Sequence, residues 1–232
     1  MTVLAAAQTA GLRLLGQKPG SLFSTSDPFA LELAELATDV AREIAEAHDW
    51  RLLTELHTIE GDGTSIAHAL ADDYGRMPKK QKVHSRHWKT ANFRLARDLD
   101  EWLYFLQYPL IGAPGQWILL DGKLQINPPM PIGEAALYYY IRNGIVTDAS
   151  GTAKPAFTAD TDEFVLPQRL LELGLIWRWR SQKRLEYSED MTNYEIALQR
   201  AITADKGSQM LVVGRTRLPT GVSPAFPGTL GS

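Results

Sequence analysis

Cysteine is absent from all 232 residues. That absence alone excludes disulfides, thiolate nucleophiles and every zinc or iron–sulfur site built on cysteine. Long apolar runs are missing too: no window approaches the roughly 18 uninterrupted apolar residues of a membrane span. The N-terminus lacks the charged start and apolar stretch of a signal peptide, so the expectation is a soluble protein made in the cytoplasm with no membrane partner. Nor is there an excess of positive charge. The formal net charge is −3 and the pI near 6.0, so no global basic field draws the chain to nucleic acid. No internal repeat or low-complexity block is visible. What is present is 44% hydrophobic residues, enough for one core of about 150 to 200 residues plus extensions.

Helical signals stand at both ends. Thr2 is placed to cap a first helix running through Leu15, where Gly16 and Lys18-Pro19-Gly20 stop it. Ser26-Asp27-Pro28 puts a cap residue before a proline in the first turn. Phe29, Leu33, Leu36, Val40 and Ile44 then recur at three- and four-residue steps, opposed by Glu32, Glu35, Asp39, Glu43 and Glu46. The same logic predicts a helix behind Pro167 with Leu166, Leu170, Leu173 and Trp177 on one face. Another follows from Ser188, its stripe Met191, Tyr194, Leu198 and Ala201, and the brief Glu186-Tyr187 connection makes the two antiparallel.

Between Arg51 and Arg142 the period changes. Leu53 to Ile59 and Ser65 to Leu70, split by Gly61-Asp62-Gly63, read as a hairpin. Trp117 to Leu120 and Lys123 to Ile126 read as a second one, joined by Asp121-Gly122, the dipeptide suited to a type I′ turn. Ala135 to Ile141 offers a further strand, Asp98 or Asp100 is placed to cap a short helix holding Trp102, and Gly144 to Ala159 reads as loop. The resulting expectation is an α+β fold: an antiparallel helical bundle core from 1–50 and 160–206, a small β-hairpin subdomain inserted at 51–142, and an extended C-terminal arm over 207–232.

Chemistry-bearing motifs are sparse. His84-Ser85-Arg86-His87 has an i, i+3 spacing, but on extended backbone the two rings point to opposite faces, so no metal site is expected. Gly16 to Ser21 departs from a phosphate loop because a helix precedes it and Ser21 stands where lysine is needed. Asp160, Asp162 and Glu163 lack the glycine and bidentate glutamate of a calcium loop and read as helix N-terminal acids. Asp98 and Asp100 read as caps, and no strained Gly-x-Ser-x-Gly elbow exists. The expectation is no catalytic residue, no metal and no cofactor. Lys79, Lys80 and Lys82, in the one dense basic run, are the candidate DNA contacts, with plain solvation as the alternative. Trp177 and Trp179 are candidates for subunit packing beyond a core role.

The final stretch carries the sharpest sequence-level inference. Gly207, Gly214, Gly221, Gly228 and Gly231 with Pro219, Pro224 and Pro227 forbid a helix or long central strand. Yet Leu211, Val212, Val213, Leu218, Val222, Phe226 and Leu230 are costly to leave in water. Arg215 and Arg217 stand there without any Asp or Glu, so the arm is expected on an apolar, acidic partner surface. A tail folded back on its own domain is the other reading.

Taken in order, the first helix, the acidic amphipathic helix ending in His48-Asp49-Trp50 and the insert containing Leu70-Ala71-Asp72-Asp73-Tyr74-Gly75-Arg76-Met77 lead on to a second group of features. Those are Phe157-Thr158-Ala159-Asp160 through Trp177-Arg178-Trp179, the closing helices and the Pro/Gly arm. This order resembles the head-to-tail connector adaptors of tailed bacteriophages, the tail tubular protein A and tail accessory factor group. The likeness spans most of the chain and is densest over 1–77 and 155–206. It implies a non-enzymatic virion protein in the tail connector, forming a twelve-subunit ring under the portal protein. Such a ring contacts a downstream tail or nozzle protein and lines the channel for double-stranded DNA. It also implies that Leu211 to Leu230 dock on the portal and that Phe29 joins Trp177 and Trp179 in packing between subunits of the ring. The rival expectations are a DNA-binding module using the basic loop 76–88 and a tail-associated hydrolase.

Overall fold

Helix formation at the N-terminus follows its caps. In the computed structural model, which describes residues 2–88, 91–108 and 114–206, α1 spans Val3–Leu14 and the Thr2 hydroxyl accepts from the Ala5 N–H. Asp27 caps α2, Pro28–Ala47, by accepting from the Phe29 N–H at 3.3 Å. Pro28 sits where a missing N–H has no helical partner to lose. The stripe Leu33, Leu36, Val40 and Ile44 is buried, each such side chain contributing about 1.5–3 kcal/mol. Trp50 closes this layer by donating its indole N–H to the Ile44 carbonyl at 2.8 Å.

Two later helices complete the layer, α4 at Gln168–Gln182 and α5 at Ser188–Lys206. They run antiparallel, as Arg180 pairs with Asp190 at 2.6 Å and the Trp177 ring lies 5.9 Å from that of Tyr194. Gly174 marks the closest approach of α4 to α2, since a Cβ there would stand 2.3 Å from Val40 Cγ1. The core so formed also takes in Ile141, Ile145, Val146, Phe157 and Phe164.

The middle of the chain departs from the expected small hairpin subdomain. Among the described residues eight strands are present here: β1 Thr54–Glu60, β2 Ala67–Ala69, β3 Tyr74–Arg76, β4 Val83–Ser85, β5 Asn92–Leu95, β6 Gln116–Leu120, β7 Lys123–Asn127 and β8 Ala135–Arg142. They build one mixed sheet in the order β1-β8-β4-β5-β6-β7-β2, with β3 also paired to β8, and the sheet curls into a nearly closed barrel-like form. The expected fold class is therefore corrected: the β part is a large sheet with its own interior, not a hairpin appended to a helical bundle. That interior holds Val83, Phe93, Trp117, Leu124, Ile126 and Tyr138. The physical reason is non-local pairing. β3, β4 and β5 are three or four residues long, too short to show an alternating pattern; β4 and β5 pair with each other, and β8 and β6 supply their remaining partners from farther along the chain, β8 being the partner of β3.

Of three further expectations, two change for related reasons. The 53–59 and 65–70 segments do not form a hairpin; β1 pairs with β8 and β2 with β7, at opposite ends of the sheet. The Asp121-Gly122 hairpin does form, with both residues at positive φ, 54° and 64°. The 144–159 loop contributes β9 (Val146–Thr147) and β10 (Ala153–Lys154), which join β11 (Glu163–Phe164) in a small second sheet. The parallel β5–β6 pair needs a crossover, and α3, Leu99–Gln107, stands in it with Asp98 accepting from the Glu101 N–H at 2.7 Å.

Candidate functional site

Asp160 and Asp162 are not helix N-terminal acids. α4 starts later, at Gln168, and both carboxylates instead organise the chain before it. Asp160 accepts from Ser21 Oγ at 2.6 Å and from the Leu22 N–H at 2.7 Å, fixing the loop after α1. Asp162 is fully buried and accepts from Lys154 Nζ at 2.8 Å and from the N–H groups of Thr158 and Ala159 at 2.7 and 2.9 Å. Its backbone carbonyl takes the Val3 N–H at 2.7 Å. Both carboxylates hold the fold, Asp160 through partners distant in sequence and Asp162 through Lys154, Thr158 and Ala159 close to it.

The lysine run is brought onto the outer face of the sheet. Asp49, at the end of α2, pairs with Arg76 and accepts from the Lys79 backbone N–H at 2.8 Å. Burial tends to raise the Asp49 pKa, but the Lys79 N–H and the Arg76 guanidinium outweigh it and hold the group below the usual aspartate value. The run is thus tied to the helical layer through its backbone, while the side chains of Lys79, Lys80 and Lys82 are exposed. From there β4 alternates: Val83 points into the barrel, His84 outward.

A groove of about 300 Å³ results, lined by Asp49, Thr54, Pro78, Lys80, Gln81, Lys82, His84 and Tyr139. Tyr139 is 53% exposed, and its antiparallel partner Leu56 on β1 is 52% exposed. Sequence reading found the lysines but missed Asp49, His84 and Tyr139 as their neighbours. The available signal was the apolar–polar alternation around Val83 and the middle position of Tyr139 in Tyr138-Tyr139-Tyr140, which a strand must turn away from its neighbours.

The inward neighbours of Tyr139 form a separate polar cluster. Tyr140 donates to Asp73 at 2.6 Å, Arg142 pairs with Glu55 at 3.1 Å, and Tyr74 stacks on the Tyr140 ring. Burial and then the Asp73 carboxylate push the Tyr140 hydroxyl upward, so it remains a neutral donor. His84 lines the groove, and the His87 backbone N–H donates to Glu134 at 3.1 Å. Among the described residues no group of three or more His, Asp or Glu is arranged to hold a metal, and no helix is long and apolar enough to cross a membrane.

A second surface is apolar. Of α3, Trp102 is buried, whereas Leu99, Leu103, Tyr104, Leu106 and Tyr108 are exposed by 39% to 62%. Leu12 and Leu15 at the end of α1 and Leu31 near the start of α2 are exposed too, and Phe29 is half-buried. Phe29 meets the Trp179 ring edge-on at 5.7 Å. Trp179 donates to Glu32 at 3.0 Å, while Arg178 covers Trp177 at 4.5 Å; both indoles lie in the chain's own core, 6% and 9% exposed. The arm residues Leu211, Val212, Val213, Arg215, Arg217, Leu218, Val222, Phe226 and Leu230 lie outside the described residues.

No protein-family model matches this chain, and a search of curated proteins finds no match either.

Proposed function

We propose that this chain is a structural, ring-forming adaptor of the head-to-tail connector of a tailed bacteriophage, docking under the portal through its 207–232 arm and encircling the path of double-stranded DNA. The observation that carries the assembly part is the apolar surface of α3: five large side chains exposed on nine residues and the Tyr108 cap is more than a solvated helix retains. A cyclic ring needs two different complementary patches on each subunit. The exposed Leu12, Leu15 and Leu31 of the helical layer, with half-buried Phe29, are the candidates for the second one. The order of sequence features supports the connector assignment, although the large sheet departs from the small β insert that this resemblance implies.

Solution mass and electron microscopy of the full chain, alone and with portal rings, test the proposal. Association into closed rings that Leu103→Asp with Tyr104→Asp abolishes, in a protein with an unchanged melting profile, is the expected result. A chain that stays monomeric at every concentration and ignores portal rings overturns it.

A further inference from the structure

We propose that the groove between the lysine run and β8 is a binding site for single-stranded nucleic acid, with phosphates on Lys80 and Lys82 and one base stacked on Tyr139. This does not depend on ring formation or on the portal.

The chemistry comes from three observations. First, the cations are available. Among the described residues no ion pair engages Lys80 or Lys82, while the one carboxylate in the described lining of the groove, Asp49, is already committed to Arg76 and the Lys79 N–H. Between Arg76 and Arg97 the chain has no Asp or Glu, so this part of an otherwise acidic molecule is locally positive. Second, an aromatic platform stands among the cations. Tyr139 is on the outer side of the sheet with Leu56 opposite it, and Leu137, its neighbour two residues away, pairs with His84. Third, the order across the sheet puts apolar Leu56 and Tyr139 on one side and the lysines on the other. A strand with its bases toward β1 and its phosphates toward the 79–82 run satisfies both sides.

A single strand fits better than a duplex or an acidic peptide. Positively charged grooves with exposed aromatic rings hold single strands because every free base offers a face for stacking. A duplex keeps its base faces inside the stack and leaves Tyr139 without a partner. An acidic peptide would satisfy the lysines but has no flat apolar group to cover the ring.

Fluorescence anisotropy with a labelled twelve-nucleotide oligothymidine, its duplex with oligoadenine, and a polyglutamate competitor tests the site on the full chain. Lys80→Ala with Lys82→Ala is expected to flatten the salt dependence by about 1.4 in log K against log salt, from about 0.7 per phosphate contact. Tyr139→Ala is expected to weaken single-strand binding roughly tenfold and Tyr139→Phe to restore it. Lys123→Ala, on β7 away from the groove, is expected to change nothing. Circular dichroism and melting curves confirm that each variant is folded. No binding at low salt, binding unaffected by the lysine or tyrosine variants, a duplex bound as tightly as the single strand, or equal capture of polyglutamate each overturns the proposal.

Discussion

Replacing Asp162 by alanine tests how the segment between Lys154 and Asp162 is held. The carboxylate is fully buried and receives four close donor contacts: two from Lys154 Nζ, each at 2.8 Å, and one each from the Thr158 and Ala159 N–H groups. Removing it strands two backbone donors, at about 1–3 kcal/mol each while they stay dry. It also strands the Lys154 ammonium, whose side chain is 22% exposed and therefore partly recovers water. The expected loss is about 3–4 kcal/mol out of a stability of roughly 5–15 kcal/mol. With a urea slope of about 3 kcal/mol/M, the unfolding midpoint falls by about 1 M. The pH dependence follows from the direction of the shift. Burial by itself raises the Asp162 pKa, but Lys154 and the two N–H groups prevail and hold it below the ordinary 3.8. A carboxyl lowered on folding contributes its full stability above its unfolded pKa and loses it as pH falls through the folded value. The gap between wild type and Asp162→Ala is therefore widest at neutral pH and narrows below about pH 3.8. Urea titrations at pH 7 and pH 3 measure it. A variant within about 1 kcal/mol of wild type at pH 7, or an equal gap at both pH values, refutes the reasoning.

Gly174→Ala is expected to destabilise by about 1–2 kcal/mol in thermal or urea unfolding, because overpacking against Val40 Cγ1 at 2.3 Å exceeds the helix-propensity gain of about 1 kcal/mol. Asp205→Ala removes the acceptor of His48 Nε2 at 3.0 Å and of the Arg51 N–H at 3.3 Å, so the last turn of α5 should lose hydrogen-exchange protection at a global cost of about 1 kcal/mol. Asp49→Ala frees the 76–82 segment from α2, and limited trypsin digestion should then cleave after Lys79, Lys80 or Lys82 several-fold faster than in wild type, with the helical layer intact by circular dichroism.

The helical layer was legible because its signals are local. Thr2, Asp27 and Asp98 each cap the helix that their position announces, and the α2 stripe is buried as its period requires. The sheet was not legible. The 53–59 and 65–70 segments carry the turn residues of a hairpin, but pairing is decided by which strand edge is free, and β8 offers both of its edges to distant segments. Strands of three residues such as β3 and β4 hold too few positions to show a face. The same limit hid the groove: Lys80 and Lys82 are visible as a run, whereas Tyr139 becomes their neighbour only through the β4–β8 register. Asp160 and Asp162 were misread because an acid ahead of a helix is indistinguishable in sequence from one reaching Ser21 or Lys154.

Asp49 does more for the groove than join two layers. A lysine loop held by its own ammonium groups would spend its charge on the fold, and an untethered loop would lose entropy on meeting any ligand. Here the carboxylate grips a backbone N–H and a neighbouring arginine, so the loop is fixed while Lys80 and Lys82 keep their charges for something else. The anchor lies at the end of α2, whose buried stripe belongs to the helical core, and the platform lies on β8, whose inward residues belong to the barrel core. The groove thus exists only where the two cores meet. A substitution that shifts the end of α2, without touching any groove cation, should weaken single-strand binding through the ordering cost while leaving its salt slope unchanged.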